Sequence, residues 1–431
     1  MTTEDTSMHV TPIQGNTSRQ VSLNFDALAA VMPCIKTRRD LFSFMSTCSG
    51  LYNAGIPTLL GFHFTITLRN LSQFYHFLIS KGPVSFLSLR GLYFSFASWS
   101  EQGRLGPQEV GWLTEILSRA QNLHYIEIFG DLLHQEPTLY KALAQLSSLQ
   151  TLDLLSTHGE DPEQYILITQ LQAPLSTLRF EGVGENLDVV NALVNFHGTL
   201  RELTISEFTL YHLPPGPVYP HVVDLSLTAI VNPQLSILIP AFPNVKTLLA
   251  RLLIPNESDP AIRGNNLQYQ MDYPTRCWQL SSLVTDAPSL WTLPLRAGVP
   301  EVEVHDLSPG IELEFLQSSL VHLRPLHLTF ENDQDPILED NWLSKAITGD
   351  WKELVRLDFD YIFPAVSDKC NEHLIAQAIP SLALLKLKNI SQKSYWIRQE
   401  DKLAPLSPST RQAFERLSEE LLAPLRKGEF K

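Results

Sequence analysis

Ten short runs along the chain place apolar residues at positions 1, 4 and 6, most plainly Leu149-Gln-Thr-Leu152-Asp-Leu154 and Leu382-Ala-Leu-Leu385-Lys-Leu387. The runs start at Leu123, Leu149, Leu175, Leu200, Val222, Val245, Leu290, Leu323, Leu354 and Leu382. The first five steps between starts fall within the ~20–29 residues of a leucine-rich repeat. The step from Val245 to Leu290 is about two such repeats long, which points to one disguised strand between them. A similar run, Val84-Ser-Phe-Leu87-Ser-Leu89, is expected to begin the array.

The stretches between runs carry apolar residues at helical spacing: Trp112, Leu113, Ile116, Leu117 and Ala120, then Leu139, Ala142, Leu143 and Leu146, then Leu187, Val190, Leu193 and Val194. Each unit therefore supplies one strand and one helix, and neither buries its apolar face alone. The expected fold is an α/β leucine-rich-repeat solenoid over residues 61–400, with parallel strands on the concave face and helices outside. Each buried leucine contributes ~1.5–3 kcal/mol, so stability explains the leucine content without a cofactor.

A formal net charge of −14 argues against nucleic acid as a main partner, because phosphate contacts are made by clustered Lys and Arg. Residues 1–20 are polar and read as a disordered tail without a signal peptide. No run of eighteen apolar residues exists to cross a membrane. Four scattered cysteines make no disulfide framework. Together these features predict a soluble cytoplasmic or nuclear protein.

Residues 21–60 differ from the array. Leu23, Phe25, Leu28, Val31, Met32 and Ile35 form one amphipathic helical face; Leu41, Phe44, Met45, Cys48, Leu51 and Tyr52 form a second, across the charged turn Lys36–Asp40. This segment, with Asp40-Leu41, Cys48, Tyr52 and the exit Ala54-Gly-Ile56-Pro57, resembles the F-box of the fungal F-box and leucine-rich-repeat proteins. Phe62–Leu68 as a strand, Leu71–Ile79 as a helix and the late Tyr395-Trp396 pair fit the same order of parts. Asn24 stands where the family has Pro, and Leu51 where many members have Trp. The resemblance implies a substrate-recognition subunit of a Skp-cullin-F-box ubiquitin ligase, which is not itself an enzyme. Leu23, Phe25, Leu28, Val31, Met32, Leu41, Phe44, Met45, Leu51 and Tyr52 would then bind the Skp-type adaptor, and the repeats an unknown protein target. Without the resemblance, residues 21–60 read as a cap on the first strand, and the protein as a repeat scaffold with no ligase link.

Strand alternation places positions 3 and 5 of each run on the face opposite the buried leucines. The predicted substrate wall therefore contains Tyr125, Glu127, Asp153, Arg179, Glu202, Asp224, His327, Arg356, Asp358 and Lys386, with Glu181, Asp360 and Lys388 just beyond.

Catalytic signatures are poor. Gly182-Val-Gly184-Glu-Asn-Leu187 lacks the third glycine of a dinucleotide loop, and His158-Gly-Glu160-Asp161 has the residues of an ordinary turn. The sequence contains no phosphate-cradling Gly-Lys-Ser/Thr loop, no His-Glu-x-x-His pair and no Cys-x-x-Cys spacing, so neither cofactor nor metal is expected. In the C-terminal residues 401–431, Ser407-Pro408 opens a helix with Phe414, Leu417 and Leu421 on one face. That helix is expected to cover the last strand edge, with a partner-binding tail as the alternative.

Overall fold

The computed structural model describes residues 25–96, 105–129, 132–155, 162–180, 192–209, 216–252, 260–305, 316–332, 353–361 and 379–406. Within these ranges it omits 137, 232, 317, 318, 321, 380, 389–392, 400 and 401; beyond them it describes 414, 416 and 418. The 1–20 tail, Leu23, Asn24, the turns around Gly182 and His158, the helix residues Leu187 and Val190, and Ser407, Leu417 and Leu421 lie outside the described residues. The chain divides into two compact units, one ending at Phe62 and one beginning at His63.

Among its described residues the first unit has three α-helices, α1 (Phe25–Val31), α2 (Arg38–Met45) and α3 (Ser49–Leu60), with a short 3-10 turn, Met32–Cys34, after α1. The second apolar face read from the sequence is thus two helices. Ser46 and Thr47 separate them, and Cys48 caps α3 by accepting from the Leu51 amide at 3.4 Å. Lys36–Asp40 is not simply a turn, since Thr37 caps α2 through the Asp40 amide and Arg38–Asp40 form its first turn. Gly55 in α3 lets Met45 and Met32 approach; a Cβ there would lie 2.4 Å from Met45 Cγ. Met32, Leu41, Met45, Leu51 and Leu60 form the buried interior.

The second unit carries one sheet of fifteen strands in chain order. They are β1 (His63–Ile66), β2 (Gly91–Ser95), β3 (Tyr125–Phe129), β4 (Thr151–Leu155), β5 (Thr177–Phe180), β6 (Glu202–Thr209), β7 (Asp224–Val231) and β8 (Thr247–Leu252). After these come β9 (Ser282–Asp286), β10 (Glu301–His305), β11 (His327–Asn332), β12 (Arg356–Tyr361), β13 (Leu384–Lys388), β14 (Lys393–Gln399) and β15 (Lys402–Leu406). Each of β1 to β12 pairs in parallel with the next, and helices such as Leu68–Lys81 and Pro107–Arg119 occupy the connections. Consecutive parallel strands linked by helical connections are the architecture of a leucine-rich-repeat solenoid.

The apolar code explains the register. Position 1 residues such as Leu123, Leu149, Leu175 and Leu200 are fully buried, as are position 4 residues Leu92, Ile126, Leu152 and Leu178. Between them, the carbonyl of position 2 accepts two amides of the next strand. His124 O takes Gln150 N and Thr151 N at 2.9 Å each, and Val355 O takes Ala383 N and Leu384 N at 2.8 and 3.0 Å. Backbone groups that burial would otherwise orphan are thereby paired from repeat to repeat.

Three strand assignments are corrected. Val84–Leu89 falls mostly in a helix (Pro83–Ser88), opened by Pro83 after Gly82 at φ 78°; the strand follows it as Leu89-Arg-Gly-Leu92-Tyr-Phe94. Leu290 fits the code but lies in the helix Ala287–Thr292, because Asp286 caps it through Ser289 N at 2.6 Å and Pro288 follows. The missing strands are β9, led by Leu280 with Thr285 at position 6, and β10, led by Val299 with Val302 and Val304. The run at Leu323 is displaced by two residues: His327 pairs with Arg356, so Pro325, Leu328 and Phe330 hold positions 1, 4 and 6.

The last strand edge is closed by β14 and β15, which add antiparallel to β13. Tyr395 and Trp396 lie in β14. The C-terminal helix residues Phe414 and Ser418 sit instead on the open face, against Leu384 and Arg356, which corrects the expected edge cover.

Candidate functional site

In the first unit, the side chains expected to meet an adaptor fall into two groups. Met32, Leu41, Met45 and Leu51 are buried and hold the unit together, which corrects their assignment to a contact surface. Phe25 and Val31 are 44% and 49% exposed, and Leu28, Phe44 and Tyr52 are partly exposed. Phe42, which the sequence analysis did not single out, is 53% exposed. Helix α1 contains no buried residue although its sequence is Phe-Asp-Ala-Leu-Ala-Ala-Val. Its Phe25 ring rests on α3 over Gly50.

On the second unit, paired register aligns the open-face residues in two columns. Position 3 carries His63, Gly91, Tyr125, Thr151, Thr177, Glu202 and Asp224 in neighbouring strands, and later Glu301, His327, Arg356 and Leu384. Position 5 carries Thr65, Tyr93, Glu127, Asp153 and Arg179, and later Glu303, Thr329, Asp358 and Lys386. The predicted wall residues thus share one face, in three distinct environments. Glu181 lies outside the described residues, as do the side chains of Asp360 and Lys388.

At the β1–β6 end, His63 stacks on Tyr125 with centroids 4.4 Å apart and planes 12° from parallel. Gly91 stands between them, and a Cβ there would lie 2.3 Å from the His63 ring. The Tyr125 hydroxyl donates to Glu127 and, at 3.4 Å, to Asp153. Burial, reinforced by the Glu127 hydrogen bond, pushes the Tyr125 hydroxyl pKa up strongly. Burial also raises the Asp153 carboxyl, against the pull of Arg179. Thr177 donates to Glu202 at 3.4 Å, and Arg179 and Glu202 are exposed. His63 and Gly91 were missed because β1 and β2 were placed outside the repeat frame.

In the middle, His305 bridges two carboxylates: Nε2 lies 2.5 Å from Glu303 and Nδ1 3.3 Å from Glu331. The His305 hydrogen bond draws the Glu303 carboxyl below its usual range. The three ligand atoms lie within 4.8 Å of one another. Each ring nitrogen faces a different carboxylate, so the imidazole sits between Glu303 and Glu331. None of these three was predicted, since β10 was unrecognised and β11 was out of frame.

At the β11–β13 end, Asp358 is only 2% exposed. Arg356 grips it bidentately, Nε to Oδ1 at 2.9 Å and Nη2 to Oδ2 at 2.6 Å, while His327 and Lys386 each approach Oδ2 to 3.5 Å. Burial opposes the Asp358 charge, but the hydrogen bonds from His327 and Arg356 outweigh it and hold the carboxyl well below the usual range. Arg356 lies beneath the Phe414 ring, 5.1 Å from its centroid, and donates from Nη1 to Ser418 at 2.5 Å. Arg356 and Asp358 are therefore covered by their own chain, which corrects their assignment as freely presented substrate contacts.

No protein-family model and no curated protein matches this sequence. Among solved structures, the chain is similar to the leucine-rich repeat-containing protein LegL7 from Legionella pneumophila, at 13% identity and a TM-score of 0.38, covering 84% of this chain and 98% of that one. It is also similar to TLR13 in a complex with ssRNA13, at 14% identity and a TM-score of 0.33, covering 71% of this chain and 44% of that one. The assignment of the fold rests on the strand ladder itself.

Proposed function

We propose that the chain is a non-catalytic substrate receptor of a Skp-cullin-F-box ubiquitin ligase in the cytoplasm or nucleus, its first unit docking the Skp-type adaptor and its open sheet face holding a target protein. The observation that carries this reading is the exposure of large apolar side chains on α1 and α2, where Phe25, Val31 and Phe42 are 44%, 49% and 53% exposed. A short helix is marginal in water, and α1, with no fully buried residue and its Phe25 ring resting on α3 over Gly50, would gain further order from a partner that covers its exposed side chains. Phe25, Val31 and Phe42 would be the main anchors of such a contact, and the partly exposed Leu28, Phe44 and Tyr52 lesser ones. The ladder of paired strands offers a preformed face, so a target pays little ordering cost at the receptor's side. Among the described residues no helix is long and apolar enough to cross a membrane.

Affinity purification of the full chain with mass spectrometry tests this. The intact protein is expected to bring down a Skp-type adaptor together with a further protein. Phe25→Asp with Phe42→Asp is expected to lose the adaptor and keep the further protein, because neither side chain is part of the buried interior. The burial of Met32, Leu41, Met45 and Leu51 makes the first unit self-sufficient, which favours the second reading, a scaffold outside any ligase. Capture of a target without an adaptor would select it.

A further inference from the structure

We propose that Arg356, Asp358 and Leu384 form a docking seat for a helix bearing an aromatic residue and, four positions later, a hydroxyl, and that this chain's own C-terminal helix fills the seat in cis. Phe414 and Ser418 both have helical geometry and both are buried, whereas Arg416 between them is exposed. Residues four apart share a helix face, so one face is laid on the sheet and the other turned to water. Phe414 packs on Leu384 and Ala383, which explains why Leu384, at a position that faces outward from the repeat core, has no exposed surface.

The recognition is specific in chemistry. The Asp358 carboxylate fixes the Arg356 guanidinium edge-on through two bonds. This leaves Nη1 to donate to a hydroxyl and the cationic face to meet an aromatic ring, and Ser418 and Phe414 supply those two groups. The inference rests on the reading of the open face as the target wall: a target helix of the same pattern reaches β12 and β13 only by displacing the resident one, while Arg179 and Glu202 toward the β1–β6 end are exposed. The C-terminal helix thus acts as an autoinhibitory occupant of one end of the wall.

A labelled peptide of residues 407–424, titrated into the full chain and into its Phe414→Ala, Ser418→Ala variant, tests the seat. Removing the buried ring is expected to open the seat by roughly 10–100-fold, so the peptide binds the variant at least tenfold more tightly than the intact chain. Adding Arg356→Ala is expected to abolish that gain. Equal binding to intact chain and variant, or no binding to either, overturns the proposal. Hydrogen exchange on the unaltered full chain provides a reading that no folding defect can mimic. Amides at 414–418 are expected to exchange at least tenfold faster than those of β12 and β13, and equal protection would make the helix a permanent part of the core, overturning displacement. Neither assay contains an adaptor or target, so a failed ligase assignment leaves both results standing.

Discussion

At the scale of single residues, charge burial decides what the wall can be. Asp358 is surrounded by Arg356, His327 and Lys386, and a buried pair stripped of one partner typically loses about 3–5 kcal/mol. Asp358→Asn is expected to destabilise the repeat unit on that order in chemical denaturation at pH 7. Because the folded carboxyl is held below its usual range, its contribution is complete above the ordinary aspartate pKa of about 3.9 and is lost as the pH falls below it. The deficit of the variant should therefore shrink in acid. Asp153 has the opposite sign. Burial raises its carboxyl, the folded chain holds that proton more tightly than the unfolded chain, and the charged form costs stability at neutral pH. Asp153→Asn is expected to raise the melting temperature at pH 7 and to change it little near pH 4. The face on which these residues stand was legible from alternation alone, since period 2 fixes orientation. That Ser418, 62 positions away, covers Arg356 was not, because local periodicity carries no information about distant packing.

At the scale of elements, the strand code worked where leucine filled positions 1, 4 and 6 and failed where another signal competed. Leu290, Leu293 and Leu295 satisfy the spacing, yet Asp286 and Pro288 start a helix there, and a cap that pairs a buried amide outweighs a pattern either structure can satisfy. Thr285 hides β9 because it is polar at a buried position, where its hydroxyl finds the Asp286 carbonyl at 3.2 Å. The break between α2 and α3 was equally masked, since apolar residues at helical spacing run straight through it. The antiparallel pair β14–β15 ends the ladder, and without it β13 would present an unpaired edge. Ile397→Pro, in the strand between β13 and β15, removes a ladder donor. It is expected to produce more concentration-dependent self-association in light scattering than the unaltered chain.

At the scale of the whole molecule, the chain combines a small helical unit that leaves aromatic side chains uncovered with a repeat unit whose every strand is paired to its neighbours. The order of those parts was legible because each has its own period, and the exposed set within the first unit was not, because amphipathic spacing cannot say which of two apolar faces looks inward. The structure answers this with Met32, Leu41, Met45 and Leu51 inside and Phe25, Val31 and Phe42 outside. An aromatic anchor at the centre of an interface is typically worth ~2 kcal/mol or more, so Phe25 and Phe42 would carry a large share of the affinity of the proposed contact. Calorimetric titration of a purified Skp-type adaptor into the full chain measures that directly. The unaltered chain is expected to bind saturably and one-to-one, and the Phe25→Asp, Phe42→Asp variant to lose that binding with an unchanged circular dichroism spectrum. No heat of binding from the unaltered chain, or equal binding by both proteins, would contradict it.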